Sequence, residues 1–395
     1  MIRTVWNAWE EEPLELNWPE DWPLSEYSLA DGEPWGEEAV EAALRGALSM
    51  ASVAGRLAGA RSACVLVDDH TRPVAWGPIL RRLIELMGEL GLAPDRVTVL
   101  VSLAGHARMA EAEVGWKVGR LPDAVRFAQH SLEGPFKWLE AGGKRVGVNS
   151  LYAEAGFKVA LGSLIPHPFA GLSGGAKAVM PGVADLETIR RNHRLVAFGR
   201  GKVADPANGI RRQMEEITEA VGLDLLVNAA VNGRREVVAL FAGPPRQTYA
   251  EASAWARRWS ACPPARPHDV VILNAYPKDR EMLQVSNAFN VLATLPKDHL
   301  EQVRDVVLIA RAKRGLGFHA LFGPGGPLYS KASVPWWMAH AKLLVYSPGL
   351  APEDLQQSLG GELLGRWDEV LERLAAGGAR RDAGIWHQAS LQTAE

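Results

Sequence analysis

Short apolar runs alternate with amphipathic segments along most of this chain, and this alternation limits the fold more than any other feature. The runs ACVLV (63–67) and VTVLV (97–101) are too short for helices and predict buried strands. Between them, residues 76–90 repeat apolar side chains at helical spacing. Two buried strands joined by a helix favour parallel pairing, with the helix packed on the sheet. We therefore predict the α/β class with mainly parallel sheets.

The length of the chain and a proline-rich break predict two domains. At 395 residues the chain exceeds what one simple core holds, and CPPARPHD at 262–269 interrupts the alternation, which restarts beyond it. We predict an N-terminal α/β domain over 1–265 and a C-terminal α/β domain over 266–374, with an active-site cleft between them. A final helix at about 375–395 is expected to pack back on the N-terminal domain.

Composition narrows the class of function. The net charge of −3 argues against nucleic-acid binding, which usually shows a basic excess. The two cysteines, Cys64 and Cys262, fit a reducing compartment without a disulfide framework. The N-terminus lacks a signal-peptide pattern, and no apolar run reaches the roughly 18 residues of a membrane span. We expect a cytoplasmic protein with no nucleic-acid and no membrane partner, while the sequence leaves its oligomeric state open.

Polar side chains follow two of the predicted strands at the point where each ends. Asp69, Thr71 and Arg72 come after the first strand, in DDHTRP, and His106 follows the next strand, in SLAGH. An Asx turn with a surface ion pair would account for DDHTRP alone. Because ligands bind at the carboxyl ends of parallel strands, we favour a functional site with an anion-binding arginine and a histidine base.

A second group of chemically active side chains lies in the segment 166–193, PHPFAGLSGGAKAVMPGVADLETIRRNH. It combines His167, Lys177 and His193 with the turn Ser173–Gly174–Gly175, whose flexible backbone is expected to approach an anion. A Walker A loop is excluded, because alanines flank the lysine where glycine and serine or threonine are needed. A lysine that forms a Schiff base with pyridoxal phosphate stays open. Dinucleotide and common zinc signatures are absent from the sequence.

Together these motifs resemble the nickel-dependent lactate racemase family. The resemblance covers DDHTRP, the GH of SLAGH, PHPFAGLSGGAKAVMPG, ETIRRNH and a weaker YPKD…LQ segment at Tyr276–Gln284, in the family's order. It implies an isomerase, a racemase or epimerase that inverts the C2 carbon of a 2-hydroxy acid. It also implies a nickel-pincer nucleotide, a pyridinium mononucleotide that holds nickel through sulfur and carbon and is made by separate synthesis and nickel-insertion proteins.

The resemblance also implies roles for individual residues. Lys177 would be the covalent anchor of the cofactor, His193 the protein ligand to nickel, and His106 and His167 the paired acid–base groups. The remaining cofactor-binding residues would be Asp69, Thr71, Arg72, Ser173, Gly174 and Gly175. In such a reaction a base takes the hydroxyl proton while hydride passes to the cofactor, and hydride then returns to the other face of a planar 2-keto acid. Two opposed histidines suit that symmetry.

One departure from the family pattern bears on the substrate. Where lactate racemases have Tyr-Gln-x-x-Lys, this chain has Leu283, Gln284 and Asn287, so a cation is replaced by a neutral amide that suits extra hydroxyls. We expect Arg72, Gln284, Asn287 and the ring pair Trp336 and Trp337 to bind substrate, and we expect a sugar (aldonic) acid rather than lactate. Three alternatives stay open: a racemase of lactate or another small 2-hydroxy acid, a pyridoxal-phosphate racemase that uses Lys177, and a non-catalytic nucleotide- or metal-binding protein.

Overall fold

The computed structural model describes residues 1–8, 10–195, 203, 205, 208–262, 266–330, 339–376 and 380–394. Its strands are β1 (Ile2–Trp6), β2 (Glu12–Leu16), β3 (Leu24–Tyr27), β4 (Ala63–Asp68), β5 (Val97–Ser102), β6 (Arg126–Gln129), β7 (Phe136–Ala141), β8 (Lys144–Asn149), β9 (Phe157–Ser163), β10 (Pro166–His167), β11 (Gly171–Leu172), β12 (Leu225–Val231), β13 (Val237–Gly243), β14 (Val270–Asn274), β15 (Asp305–Ile309), β16 (Lys342–Tyr346), β17 (Glu362–Leu364) and β18 (Ala383–Trp386).

The α-helices are α1 (Glu37–Ser49), α2 (Ala51–Ala58), α3 (Gly77–Glu89), α4 (Glu111–Val118), α5 (Ser150–Ala153), α6 (Leu186–Arg194), α7 (Gly209–Val221), α8 (Pro245–Ser260), α9 (Met282–Val285), α10 (Lys297–Leu300), α11 (Pro352–Ser358) and α12 (Trp367–Ala375). Short 3-10 helices lie at Pro94–Arg96, Gly175–Ala178, Ser286–Asn290 and Leu292–Thr294. This content confirms the predicted α/β class.

The chain divides into two compact units, and their composition differs from the predicted domains. Residues 31–258 form the central unit, while residues 1–30 and 259–395 together form the terminal unit. The first 30 residues leave the predicted N-terminal domain because β3 pairs in parallel with β18, which lies near the end of the chain. Pairing between such distant segments leaves no local trace in the sequence.

The central unit is built on a six-stranded sheet of order β13-β12-β9-β4-β5-β6. Its strands pair in parallel except for β13, which runs antiparallel to β12. The predicted unit of strand, helix and strand is confirmed as β4, α3 and β5. From β4 the chain proceeds through β5 to β6 on one side, whereas β9 lies on the other side. The strand order therefore reverses between β4 and β9, and a crevice at such a switch point is the favoured ligand site of an open α/β sheet.

Helix α3 shows how the sequence produces the layer that covers this sheet. Its first turn contains a proline, which lacks an amide hydrogen that this turn would leave unpaired. Leu80, Leu83, Ile84 and Met87 repeat at helical spacing and are fully buried. Each such leucine contributes about 2–5 kcal/mol relative to alanine. Burial of one face and solvation of the other hold α3 against the sheet.

The terminal unit is built on a second six-stranded sheet, of order β17-β16-β15-β14-β18-β3, with every pair parallel. One prediction needs correction here. The predicted helix at 375–395 is instead the region of β18, whose Ala383, Ile385 and Trp386 are completely buried.

Both cysteines lie inside the protein as free thiols. Cys64 and Cys262 are free and buried, and burial raises the pKa of the Cys64 thiol to about 12 and that of Cys262 to about 11. Both therefore behave as inert packing groups.

Within the described residues, no helix combines the length and apolar character required to cross a membrane.

The cap of α6 gives the first prediction. The buried Asp185 carboxylate accepts hydrogen bonds from the backbone amides of Gly147, Glu187 and Thr188. Asp185→Ala is expected to lower the free energy of unfolding by about 2 kcal/mol, because it removes the helix cap and the acceptor of the buried Gly147 amide. Urea denaturation measures the change. The exposed Asp123→Ala serves as control and is expected to stay within about 0.5 kcal/mol of the wild type. Equal effects of the two substitutions would contradict the assignment.

Candidate active site

The predicted strand-end residues come together at the carboxyl edge of the central sheet. Asp69 follows β4 directly, and its Oδ1 accepts hydrogen bonds from the Thr71 amide at 2.7 Å and from the Thr71 hydroxyl. Its Oδ2 lies 2.5 Å from Nδ1 of His106, which follows β5. Arg72 donates from Nη1 to the Thr71 hydroxyl at 2.7 Å. These four residues therefore form one connected network, as the strand order requires.

The bond to Asp69 determines which nitrogen of His106 can act as a base. Burial tends to raise the pKa of Asp69, but the charges of His106 and Arg72 outweigh it and hold the pKa well below the usual range. An ionised carboxylate only accepts, so Nδ1 of His106 carries the donated hydrogen. In the neutral ring Nε2 is then the unprotonated nitrogen. The bond to Asp69 also fixes the orientation of the ring, as the carboxylate does in serine-protease triads.

His167 is held in the opposite way. It ends β10, the first strand of a small hairpin with β11 that starts just after β9. Its Nδ1 accepts the backbone amides of Phe169 and Ala170, each at 3.2 Å. The hydrogen of the neutral ring therefore lies on Nε2. In their neutral forms the two predicted acid–base histidines thus differ at Nε2, which is an acceptor in His106 and a donor in His167.

His193 has the properties of a neutral metal ligand. It lies in the last turn of α6, and its Nδ1 donates to the carbonyl of Ile189 at 2.9 Å. Burial, opposed by the Ile189 bond and assisted by the charges of Lys177 and His106, lowers the pKa of His193 to about 4. Its Nε2 is therefore unprotonated at neutral pH, and an Nδ1–H bonded to a carbonyl is the usual support of an Nε2 ligand.

Lys177 has the properties of an amine nucleophile. It lies in the 3-10 turn Gly175–Ala178, and its ammonium group forms no hydrogen bond or ion pair with the described residues. Burial, together with the positive charges of Arg72 and Arg211, lowers the pKa of Lys177 well below the usual value, against the opposing charge of Asp69. A lysine in such surroundings is held partly as the neutral amine, which is its nucleophilic form.

The glycines before Lys177 serve close packing, which corrects the expectation of a flexible backbone. Gly174 and Gly175 have φ of 76° and 57°, values that favour glycine. A Cβ on Gly174 would lie 2.9 Å from the Asn228 amide, and one on Gly175 would lie 2.4 Å from the Arg211 guanidinium. The turn is therefore enclosed by side chains from α7 and β12.

Ser173 is also committed to this packing. Its hydroxyl donates to the carbonyl of Ser163 at the end of β9 and accepts the amide of Ile165 at 3.0 Å. The hydroxyl therefore ties β11 to the end of β9. Its predicted contact with a cofactor stays a prediction.

Sequence analysis missed a second network behind Asp69. Lys117 has no exposed surface, and its ammonium group lies 2.5 Å from Oδ1 of Asp68. It also donates to the carbonyls of Val74 at 2.8 Å and Arg72 at 3.1 Å. The sequence carried a signal for this network, because two acids, Asp68 and Asp69, follow each other at a buried strand end. One histidine compensates only one of two buried carboxylates, so the other requires a second cation.

Four of the five predicted substrate residues, all except Arg72, lie after residue 280 in the sequence, and Gln284 and Asn287 belong to the terminal unit. Gln284 and Asn287 are buried, and the Asn287 side-chain amide donates to the Gln284 carbonyl at 2.7 Å. They follow β14, next to the point where the order of the second sheet reverses. Trp336 and Trp337 lie outside the described residues. The part of all four residues in substrate binding stays a prediction.

Metal binding by protein side chains alone is not supported. Within the described parts of the chain, no group of three or more histidine, cysteine, aspartate or glutamate side chains is arranged to hold a metal ion.

Comparisons with known proteins find similarity to lactate racemases. The family described as "Lactate racemase N-terminal domain" matches residues 9–204. The lactate racemase of Thermoanaerobacterium thermosaccharolyticum is 27% identical over 260 residues, which are 63% of this chain and 60% of that relative. The lactate racemase of Lactiplantibacillus plantarum is 24% identical over 376 residues, 86% of each protein.

Two solved structures share the fold. The lactate racemase apoprotein of T. thermosaccharolyticum superposes with a TM-score of 0.78 at 19% identity, over 100% of both chains. A protein from Thermotoga maritima superposes with a TM-score of 0.69 at 16% identity, over 92% of this chain and 99% of its own.

The buried pair behind the site gives the second prediction. Lys117→Met is expected to lower the free energy of unfolding by about 3–5 kcal/mol, because it leaves the Asp68 carboxylate buried without a counter-charge. Urea denaturation measures it, with the exposed Lys137→Met as control. Adding Asp68→Asn to Lys117→Met is expected to recover part of the loss. A double variant less stable than Lys117→Met would show that charge compensation is not the cause.

Proposed function

Because this chain belongs to the lactate racemase family, we propose that it is an isomerase that inverts the hydroxyl-bearing C2 carbon of a 2-hydroxy acid. His106 and His167 are the acid–base pair. The opposite hydrogen bonding of the two imidazoles supports this most directly, since one ring offers a lone pair at Nε2 and the other offers a hydrogen. Inversion requires groups that handle the substrate oxygen on both sides.

The residues divide the work on the substrate oxygen. Nε2 of His106 takes the proton from the hydroxyl group as the carbon loses hydride, and Asp69 stabilises the resulting imidazolium. Nε2–H of His167 donates a hydrogen bond to the oxygen of the planar 2-keto acid. Arg72 binds an anionic group through the guanidinium nitrogens that do not contact Thr71. Return of the proton to the oxygen, once hydride has come back to the opposite face of C2 from a bound cofactor, would give the inverted acid.

The residues present fit a nickel-pincer nucleotide. Lys177 would hold it covalently, because a neutral amine can form the bond, and Nε2 of His193 would coordinate the nickel. Arg72, next to Lys177, would face its phosphate. When bound, the nucleotide supplies the hydride acceptor and donor. Synthesis and nickel-insertion proteins are then required partners.

The third prediction tests the acid–base pair. His106→Gln and His167→Gln are each expected to lower kcat/KM by about 100-fold or more, because a glutamine cannot accept and return a proton. Racemisation of 2-hydroxy acids by protein produced with the cofactor-synthesis proteins measures this, with the exposed His340→Gln as control.

Intact mass and nickel analysis of the same samples test the cofactor separately. The expected result is one covalent adduct on Lys177 with one bound nickel, both retained in the histidine variants. An unmodified Lys177 without nickel would contradict the cofactor assignment. An adduct with the mass of pyridoxal phosphate, reduced by borohydride, would favour the Schiff-base alternative. Activity retained in either histidine variant would remove that histidine from the mechanism.

The fourth prediction concerns the substrate. We propose a preference for a polyhydroxy acid such as an aldonic acid over lactate, since Asn287 offers a neutral amide where the family motif has a lysine. Asn287→Lys is expected to raise kcat/KM for lactate relative to an aldonic acid by roughly tenfold, the value of one charge-assisted hydrogen bond. The adjacent, exposed Ser286→Lys is the matched control. A wild-type protein that racemises lactate at least as well as sugar acids would overturn the preference and leave the lactate alternative.

A further inference from the structure

Arg211 is a fully buried arginine, which sequence analysis did not single out, packed against the turn that carries Lys177. It lies in the first turn of α7, and its surface is 0% exposed. Both of its terminal nitrogens donate to the carbonyl of Gly174 at 3.1 Å, and Nη1 also lies 3.4 Å from the carbonyl of Leu172. Its guanidinium therefore holds the backbone at Gly174, three residues before Lys177.

The guanidinium plane is fixed on its other sides as well. Its central carbon lies 3.7 Å from the centre of the Tyr249 ring, and Nε contacts Glu215 at 3.2 Å. Stacking and a fork of hydrogen bonds are properties of arginine that lysine does not share. A buried charged group often contributes no more to the stability of a protein than apolar side chains of similar volume would. Arginine at this position therefore indicates a task beyond filling the core.

Tyr249 and the Asn228 side chain, which accepts the Gly175 amide at 3.2 Å, also contact the turn, but only Arg211 donates to its Gly174 carbonyl from a side chain among the described residues. A pocket of about 330 Å³ borders the turn and is lined by Gly175, Ala176, Arg211 and Tyr249, among others. Gly175 has φ of 57° and a side-chain position already filled by Arg211 and Tyr249. Without the guanidinium, the turn would face open space and could leave its conformation.

Arg211 also acts on Lys177 through its charge. The charged and titratable groups around Lys177 are Arg72 and Asp69 after β4, His193 on α6 and Arg211 on α7. Arg72 and Arg211 disfavour the ammonium form, and Asp69 favours it. A buried charge acts over a longer range than an exposed one, because water screens it less.

We propose that Arg211 is a positioning residue for Lys177: it fixes the Gly174–Gly175 turn through its hydrogen bonds to the backbone carbonyls of Leu172 and Gly174. The importance of Lys177 as a covalent anchor rests on the proposed function. The effects of Arg211 on the turn and on the charge of Lys177 do not depend on that function.

The fifth prediction separates the two effects in the cofactor-free protein. Acetic anhydride labels amines in their neutral form, and peptide mass spectrometry gives the labelling rate of Lys177 as a function of pH. Arg211→Met is expected to slow labelling near neutral pH by about tenfold and to move the midpoint upward, because loss of the nearby positive charge raises the pKa of Lys177. Arg211→Lys keeps a charge without the fork, so the midpoint should stay near that of the wild type. Deuterium uptake of the peptide covering 171–178 should rise in both variants.

The neighbouring Arg212→Met is the matched control, because Arg212 is exposed on the same helix. It is expected to change neither measurement. A folded Arg211→Met with wild-type labelling midpoint and wild-type uptake would overturn the proposal, as would equal changes in Arg212→Met. If Arg211→Met fails to fold, Arg211→Lys provides the test, and wild-type deuterium uptake in that variant would overturn the proposed positioning of the turn. Neither measurement needs cofactor or substrate, so loss of the racemase proposal would leave this result intact.

Discussion

Two adjacent carboxylates at the end of β4 determine the arrangement of the central unit's site. Successive side chains of a strand point in opposite directions, so Asp68 and Asp69 reach different surroundings. Asp68 accepts bonds from Trp76 at 2.8 Å and the Ser163 amide at 2.6 Å beside the Lys117 ion pair. It thereby joins β4 to the end of β9. Asp69 orients His106. Each buried acid requires its own compensation, and the two sets of partners fix three neighbouring strand ends.

The segment with Lys177 is attached to that edge by contacts in which small residues allow close approach. A Cβ on Gly162 of β9 would lie 3.0 Å from the Gly174 backbone, and the Ala104 amide donates to the Gly182 carbonyl at 2.9 Å. Because interiors are close-packed, such contacts leave few alternative positions for the chain. Lys177 is therefore held by the turn that precedes it, while its own amine stays available for reaction.

Local patterns in the sequence predicted much of this arrangement, and distant packing determined the rest. The alternation of β4, α3 and β5 depends on side-chain periodicity, so the placement of Asp69 and His106 at neighbouring strand ends followed from it. Burial of Lys117 and Arg211 depends on which helix packs against which loop, and composition or spacing does not encode that. The strand β18 was mistaken for part of a helix for the same reason, because its partners β14 and β3 are far away in the chain.

The two histidines are unequal, and this inequality has a consequence for an inversion reaction. Nδ1 of His106 donates to Asp69, whereas Nδ1 of His167 accepts the Phe169 and Ala170 amides, so a proton on Nδ1 of His167 would break both bonds. Each such bond contributes about 0.5–1.5 kcal/mol. In the proposed reaction, Nε2 of His106 can therefore accept a proton without loss of a hydrogen bond, whereas Nε2 of the neutral His167 ring already carries a hydrogen. If the proposed pair inverts the acid in both directions, His167 must accept a proton at Nε2 in one of them, and that nitrogen must first lose the hydrogen it carries.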